Sequence, residues 1–134
     1  MKSYQDQKSF ILSFYDELEA ANADSVRKVI SQFTNTDFQW YGVYPFNEQN
    51  GGDAVAEVFW IPFLSTWSNV QRRQDVFLAG TSEIDNTDWV LSMGHFMGLL
   101  DGNWLGFPAS RKLAFLRYAD FNCIKDGKII RSSF

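Results

Sequence analysis

The second half of the chain constrains its fold most. Three long stretches of strand-like sequence follow one another, at about 71–83, 88–100 and 111–124, and a fourth runs from Lys128 onward. Asp85-Asn86 marks the first turn and Asp126-Gly127 the last. Strands joined by short turns pair antiparallel, so this half is expected to form a sheet of consecutive hairpins. A sheet with an apolar face needs a second layer to cover it.

The first half supplies that layer. Residues 3–22 read as an amphipathic helix, with Phe10, Ile11, Phe14, Tyr15 and Leu18 at helical spacing and Ser3 with Asp6 as a candidate cap. Asp24 is the expected N-cap of a shorter helix carrying Val26, Val29, Ile30 and Phe33, joined to the first by a tight turn at Asn22-Ala23-Asp24. A short strand is expected at 37–41, where Phe38 and Trp40 alternate with polar residues. Tyr44-Pro45-Phe46-Asn47 and Asn50-Gly51-Gly52 read as loop. A third helix is expected over 54–67, kinked or split near Trp60 because Pro62 removes an amide donor. The fold class is therefore α+β: a curved antiparallel sheet wrapped around three N-terminal helices, enclosing one pocket. The 134 residues suit a single domain spanning 1–134.

The last hairpin sets a register. Lys125-Asp126-Gly127 suits a three-residue loop, which places Ile124 opposite Lys128, Asn122 opposite Ile130, Asp120 opposite Ser132 and Tyr118 opposite Phe134. A two-residue turn would shift every partner by one and reverse the faces of the last strand.

Charge and composition narrow the partners. Twelve Lys and Arg against sixteen Asp and Glu give a net charge of −4, and Arg72-Arg73 and Arg111-Lys112 are isolated pairs. That excludes nucleic acid and anionic membranes as expected partners, since both demand clustered cations. No apolar run approaches the roughly 20 residues of a membrane span, and Lys2 is followed by polar sequence rather than a signal core, so a cytoplasmic location is expected. One Cys and one His cannot build a histidine- or cysteine-rich metal site, and no glycine-rich phosphate loop opens a helix. No metal and no cofactor are expected.

The aromatic content is high, with 13 Phe, 5 Trp and 5 Tyr. These rings fill a core, or some of them line a cavity. Trp40, Tyr44, Phe46, Trp60 and Phe63, from the helical layer, are the candidate lining. Trp104 and Phe107 flank Gly106 in a loop and either form a lid or pack on a neighbouring subunit.

Two titratable residues stand out. On the strand reading Leu116, Tyr118, Asp120 and Asn122 share a face, joined across the hairpin by Ile130, Ser132 and Phe134. Apolar surface with a few convergent polar groups is the make-up of a small-molecule pocket, and an Asp there suits a general base. The alternative is that Asp120 pairs with an arginine or lies at a dimer surface. His95 shares its face with Trp89, Leu91, Met93 and Met97, and the opposite face carries Val90, Ser92, Gly94 and Phe96. It is a proton shuttle if it meets Asp120, with Tyr118 donating to an oxyanion, and otherwise a hydrogen-bonded structural residue.

Ser92-Met93-Gly94-His95-Phe96-Met97-Gly98, Trp104-Leu105-Gly106-Phe107-Pro108-Ala109, Arg117-Tyr118-Ala119-Asp120-Phe121 and Asp126-Gly127-Lys128-Ile129 together resemble the SnoaL-like polyketide cyclases of the nuclear-transport-factor-2-like superfamily. The resemblance implies a cone of helices around a bent sheet, a frequent homodimer, and cofactor-free ring closure on an apolar, carbonyl-bearing small molecule by an acid/base aspartate with a nearby histidine. Relatives include isomerases, dehydratases and binding modules without chemistry. In gapless register the family's catalytic aspartate falls at Phe134, its pocket histidine at Asp120, and its Pro-Pro-Thr-Gly loop at Phe107-Pro108-Ala109-Ser110. Family chains continue past this strand, so a C-terminal truncation is an expectation. Two functions follow: a cyclase, isomerase or dehydratase using Asp120, His95 and Tyr118, or a ligand-binding or dimerisation domain without catalysis.

Overall fold

The structure, a computed structural model, describes residues 3–134; Met1 and Lys2, where the chain was read for a leader, lie outside the described residues. Two helices open it, α1 (Gln5–Ala20) and α2 (Val26–Phe33). The buried stripe of α1 is Ile11, Phe14, Tyr15 and Leu18, as the helical spacing predicts. Ser3 accepts from the Gln5 amide at 3.4 Å, but no Ser3–Asp6 box is seen and Asp24 does not cap α2. The Asn22 side chain instead accepts from the amides of Asp24 and Ser25, tying the turn to α2.

Strands β1 (Thr34–Tyr41) and β2 (Glu48–Asn50) come next. The third helical stretch is continuous, through α3 (Gly52–Val55), a π-helical turn at Ala56–Trp60, and α4 (Ile61–Thr66). Pro62 supplies no amide, and its ring crowds the carbonyl four residues before it. The wider turn absorbs that conflict without breaking the helix, so the expected split becomes a π turn. The turn brings Phe59 and Trp60, adjacent in sequence, both into the core with Phe63.

Strands β3 (Trp67–Thr81), β4 (Asp88–Leu100), β5 (Leu113–Lys125) and β6 (Lys128–Ser133) complete one six-stranded sheet in the order β2-β1-β6-β5-β4-β3. Four of the five strand pairings are antiparallel, but β1 joins β6 in parallel, so the sheet is mixed and not the expected purely antiparallel one. The helices cover one face. That face is the core, where Phe59 alone meets the rings of Trp40, Phe46, Trp60, Phe63 and Phe134 at 5.0–6.2 Å between centroids. Among the described residues no helix is long and apolar enough to cross a membrane.

Register breaks decide what faces the helices, and two of them bear on the polar residues of the covered face. Lys125 pairs with Lys128 and Ile124 with Ile129, so the last turn has two residues, with Asp126 and Gly127 at φ 53° and 73°. This corrects the three-residue loop. A bulge then follows, because Cys123 pairs with Arg131, leaving Ile130 over. Ile129 rather than Ile130 is buried, yet the bulge restores the original faces beyond it, and Asn122 stands opposite Ser132. The second break is in β3: Gln74 pairs with Gly94 but Val76 with Met93, so Asp75 is the extra residue.

Candidate active site

The β3 bulge has a sequence cause at Gly94. A Cβ on Gly94 would stand 2.0 Å from the Arg73 carbonyl oxygen, so only glycine lets the bulged strand lie this close. Because of the shift, Arg72 lies opposite Phe96 and faces the helices, while Arg73 lies opposite His95 and faces out.

The covered face then assembles one polar cluster inside an apolar wall. Ser92 pairs with Asp120 across β4 and β5, and Gly94 with Tyr118. Asp120, 6% exposed, accepts a hydrogen bond from the Tyr15 hydroxyl at 2.8 Å and another from the Asn122 amide at 3.1 Å. Asn122 Oδ1 accepts from Ser132 at 2.5 Å. Ser92 donates to Gln74 at 2.7 Å and shares a 2.8 Å bond with the Tyr118 hydroxyl. The Arg72 guanidinium lies over three rings, 3.6 Å from the Tyr15 centroid, 4.7 Å from Phe96 and 4.6 Å from Tyr118.

Burial sets the electrostatics. It pushes the Asp120 carboxyl above the ordinary carboxylate range, against the pull of the Arg72 charge and of the bonds from Tyr15 and Asn122. Burial, then the neighbouring Asp120, raises Tyr15 well above the ordinary phenol value, against the pull of Arg72 and Ser92. Tyr15 is therefore a neutral donor aimed at an acid whose charged form is disfavoured.

Two narrow cavities flank the cluster and share Trp60. One is lined by Tyr15, Leu18, Trp60, Phe63, Val70, Arg72 and Phe96, with Leu64 and Glu19 at its edge. The other touches Asp120, Asn122, Ser132, Trp40, Trp60 and Phe134. Each leaves about 20 Å³ for the centre of a water molecule, room for about one. The ring of Phe134 fills much of the space between, 5.9 Å from Trp40 and 6.5 Å from Tyr118.

The sequence-predicted residues separate into two groups. Asp120, Tyr118, Asn122, Phe134, Trp40, Trp60 and Phe63 come together here. Leu116 is half-buried opposite Phe96 and packs against the core. Phe46 and Trp104 are buried but lie in the ring stack beyond the cavities, Trp104 against Phe63 and Trp67 at 5.7 Å from each, so Trp104 is core and not a lid. Tyr44 is 86% exposed on a loop and lines neither of the two cavities. His95 is on the other face of the sheet, with Arg73 and Arg117 as its register partners, 3.9 Å from the Asp75 carboxylate and 5.5 Å from the Phe115 ring. The expected Asp120–His95 pair does not form, because the β4–β5 register sets Ser92 opposite Asp120, and alternation along β4 then sends His95 to the other face.

Tyr15, Arg72 and Ser92 are the functional candidates that sequence reasoning missed. Tyr15 read as one more core ring of an amphipathic helix. Ser92 follows from Asp120 once β4 and β5 are in register. A glycine inside a strand, Gly94, was the available sign of a bulge and so of which arginine turns inward.

No family model matches the sequence, and no curated protein matches it significantly. Solved structures do match in fold. A candidate SnoaL-like polyketide cyclase from Jannaschia sp. CCS1 superposes with a TM-score of 0.72 at 20% identity, over 93% of this chain and 81% of that one. AclR, a candidate hydroxylase from Streptomyces galilaeus, gives 0.77 at 14% identity, over 98% and 74%. A nuclear transport factor 2-like superfamily protein from Salmonella enterica gives 0.70 at 14% identity, over 96% and 87%. The helices packed on one face of a bent, unclosed sheet thus have the nuclear-transport-factor-2-like α+β fold, the architecture that SnoaL-like polyketide cyclases share.

Proposed function

We propose that the chain is a cofactor-free acid/base enzyme of the cyclase, isomerase or dehydratase type, acting on an apolar carbonyl compound between its helices and sheet. One observation carries this reading: Asp120 is a buried carboxyl beside an aromatic-walled cavity, held by Tyr15 and Asn122 and raised by burial above the ordinary carboxylate range. In its charged form Asp120 takes a proton from the carbon next to the carbonyl. Tyr15 stabilises that charged form, and Tyr118, whose hydroxyl donates to Ser92 while Ser92 donates to Gln74, serves the developing oxyanion by turning its proton from Ser92 to the ligand. His95 has no part in this chemistry.

The test is deuterium uptake by 2-tetralone in D2O, read by mass spectrometry. The protein should accelerate uptake over buffer, Asp120→Asn should lower that acceleration by about 100-fold or more, and His95→Ala should leave it unchanged. No acceleration by the wild type, or an undiminished Asp120→Asn protein, defeats the reading.

The Phe134 ring favours a second reading, a binding domain without chemistry, because it narrows the space beside Asp120. Phe134→Ala separates the two. Tighter 2-tetralone binding without deuterium uptake supports the second, and uptake supports the first.

A homodimer in a cytoplasmic setting belongs to the same proposal. Met93, Phe115 and Phe121 are 37%, 60% and 41% exposed on the uncovered sheet face, and the buried free thiol of Cys123 asks for no oxidising compartment. Light scattering should give a dimer mass for the wild type and a monomer mass for Phe115→Asp.

A further inference from the structure

We propose that Arg72 is the anion-receiving group of the cavity beside Tyr15, and that the ligand of this protein presents an anionic oxygen to it. The inference rests on the functional reading above for the place of the ligand, though not for its charge. Arg72 Nη1 is buried and has no hydrogen-bond partner. No salt bridge to Arg72 forms among the described residues. Stacking on Tyr15, Phe96 and Tyr118 fixes the plane of the guanidinium but satisfies none of its N–H donors in that plane. A buried donor without a partner is costly, and an oxygen placed at Nη1 removes the cost.

The walls are apolar around Arg72, so they suit an apolar anion once the narrow cavity opens to admit it. Leu18, Trp60, Phe63, Leu64, Val70 and Phe96 wall the cavity that Arg72 lines. Two carboxylates bear on the charge balance. Asp120 acts on Arg72 across the Tyr15 ring, and the exposed Glu19 stands at the cavity edge. Neither carboxylate forms an ion pair with the guanidinium among the described residues, and Nη1 stays unpartnered.

Two sources of the oxygen share this chemistry. One is a carboxylate that the ligand carries throughout. The other is an enolate: Asp120 takes the α-proton, the C–H electron pair forms the C=C bond, and the carbonyl π pair moves to the oxygen, which Arg72 then holds until a proton returns from Asp120.

Calorimetry with benzoate and benzamide, and absorbance with 4-nitrophenol, test the proposal. If the ligand is a carboxylate, benzoate should bind the wild type about tenfold or more tightly than benzamide, and Arg72→Met, which keeps the apolar stem, should abolish the preference. If the oxygen is an enolate, 4-nitrophenol should bind as its yellow phenolate in the wild type and as the neutral phenol in Arg72→Met. Arg72→Lys, which keeps the charge, should retain part of either effect and serves if Arg72→Met does not fold. The proposal falls if neither anion is preferred, if neither binds, or if the preference survives loss of the arginine. Deuterium uptake without any anion preference would sink this inference alone, and anion preference without uptake would sink the catalytic reading alone.

Discussion

Strands β4 and β5 carry two faces one residue apart in sequence and unlike in chemistry. On the covered face Ser92, Tyr118 and Asp120 form a hydrogen-bonded cluster beneath α1, with Arg72 laid over its rings. On the uncovered face Arg73, His95 and Arg117 stand side by side across three strands among exposed Met93 and Phe115. Both faces hold a titratable group with a charged neighbour. Only the covered one removes that group from water, and desolvation is what turns an ordinary carboxyl into an acid/base usable near neutrality. The lesson is that residue type alone, a lone histidine in particular, is a poor guide to the site. The face decides.

Stability should separate the two faces most. Phe59→Ala should cost about 3–5 kcal/mol in urea unfolding, because five rings lose contact at once, while His95→Ala should stay within about 0.5 kcal/mol. Similar losses from both would mean that the covered face is not the core.

Gly94→Ala sharpens the comparison at the bulge. Its Cβ would meet the Arg73 carbonyl, which is backbone and cannot swing aside. A loss of about 1–3 kcal/mol is expected, with weaker benzoate binding as Arg72 loses its position. A neutral result would mean that β3 does not need the bulge.

The smallest effect is a pH slope of opposite sign at two aspartates. Burial raises the folded pKa of Asp120, so its contribution is fullest below the unfolded value of about 3.9 and is lost as pH rises through the folded one. Wild-type stability minus that of Asp120→Asn should therefore fall as pH rises from about 4. Asp85, bonded by Thr87 and Arg131 at the β3–β4 turn, is lowered instead. Its contribution is present above about 3.9 and fades as pH falls through the folded value, so Asp85→Asn should lose its difference from wild type in acid.

Much of this architecture was legible in the sequence. The β4 boundaries, the buried stripe of α1 and the alternation of Phe38 and Trp40 follow from periodicity, because one buried face imposes it. Asp120, Asn122 and Ser132 share one face on either turn length's count, since the bulge at Ile130 restores the parity that the two-residue turn removes. The inward arginine was not legible in that way. Arg72 and Arg73 are interchangeable until one extra residue at Asp75 is located, and bulges follow from close backbone approach rather than from hydropathy. The parallel pairing of β1 with β6 was equally hidden, because it joins the first strand to the last through no turn at all.

The most direct measurement is a titration of the side-chain carboxyl carbon of Asp120 by 13C NMR, with the exposed Asp85 of the β3–β4 turn as internal comparison. The expected result is that Asp120 titrates above the ordinary carboxylate range and Asp85 below it, and that Tyr15→Phe, which removes the bond stabilising the charged form of Asp120, moves Asp120 higher still. An Asp120 that titrates at or below the ordinary value, unmoved by Tyr15→Phe, would show a solvated carboxyl and contradict the assignment of the covered face as the chemical site.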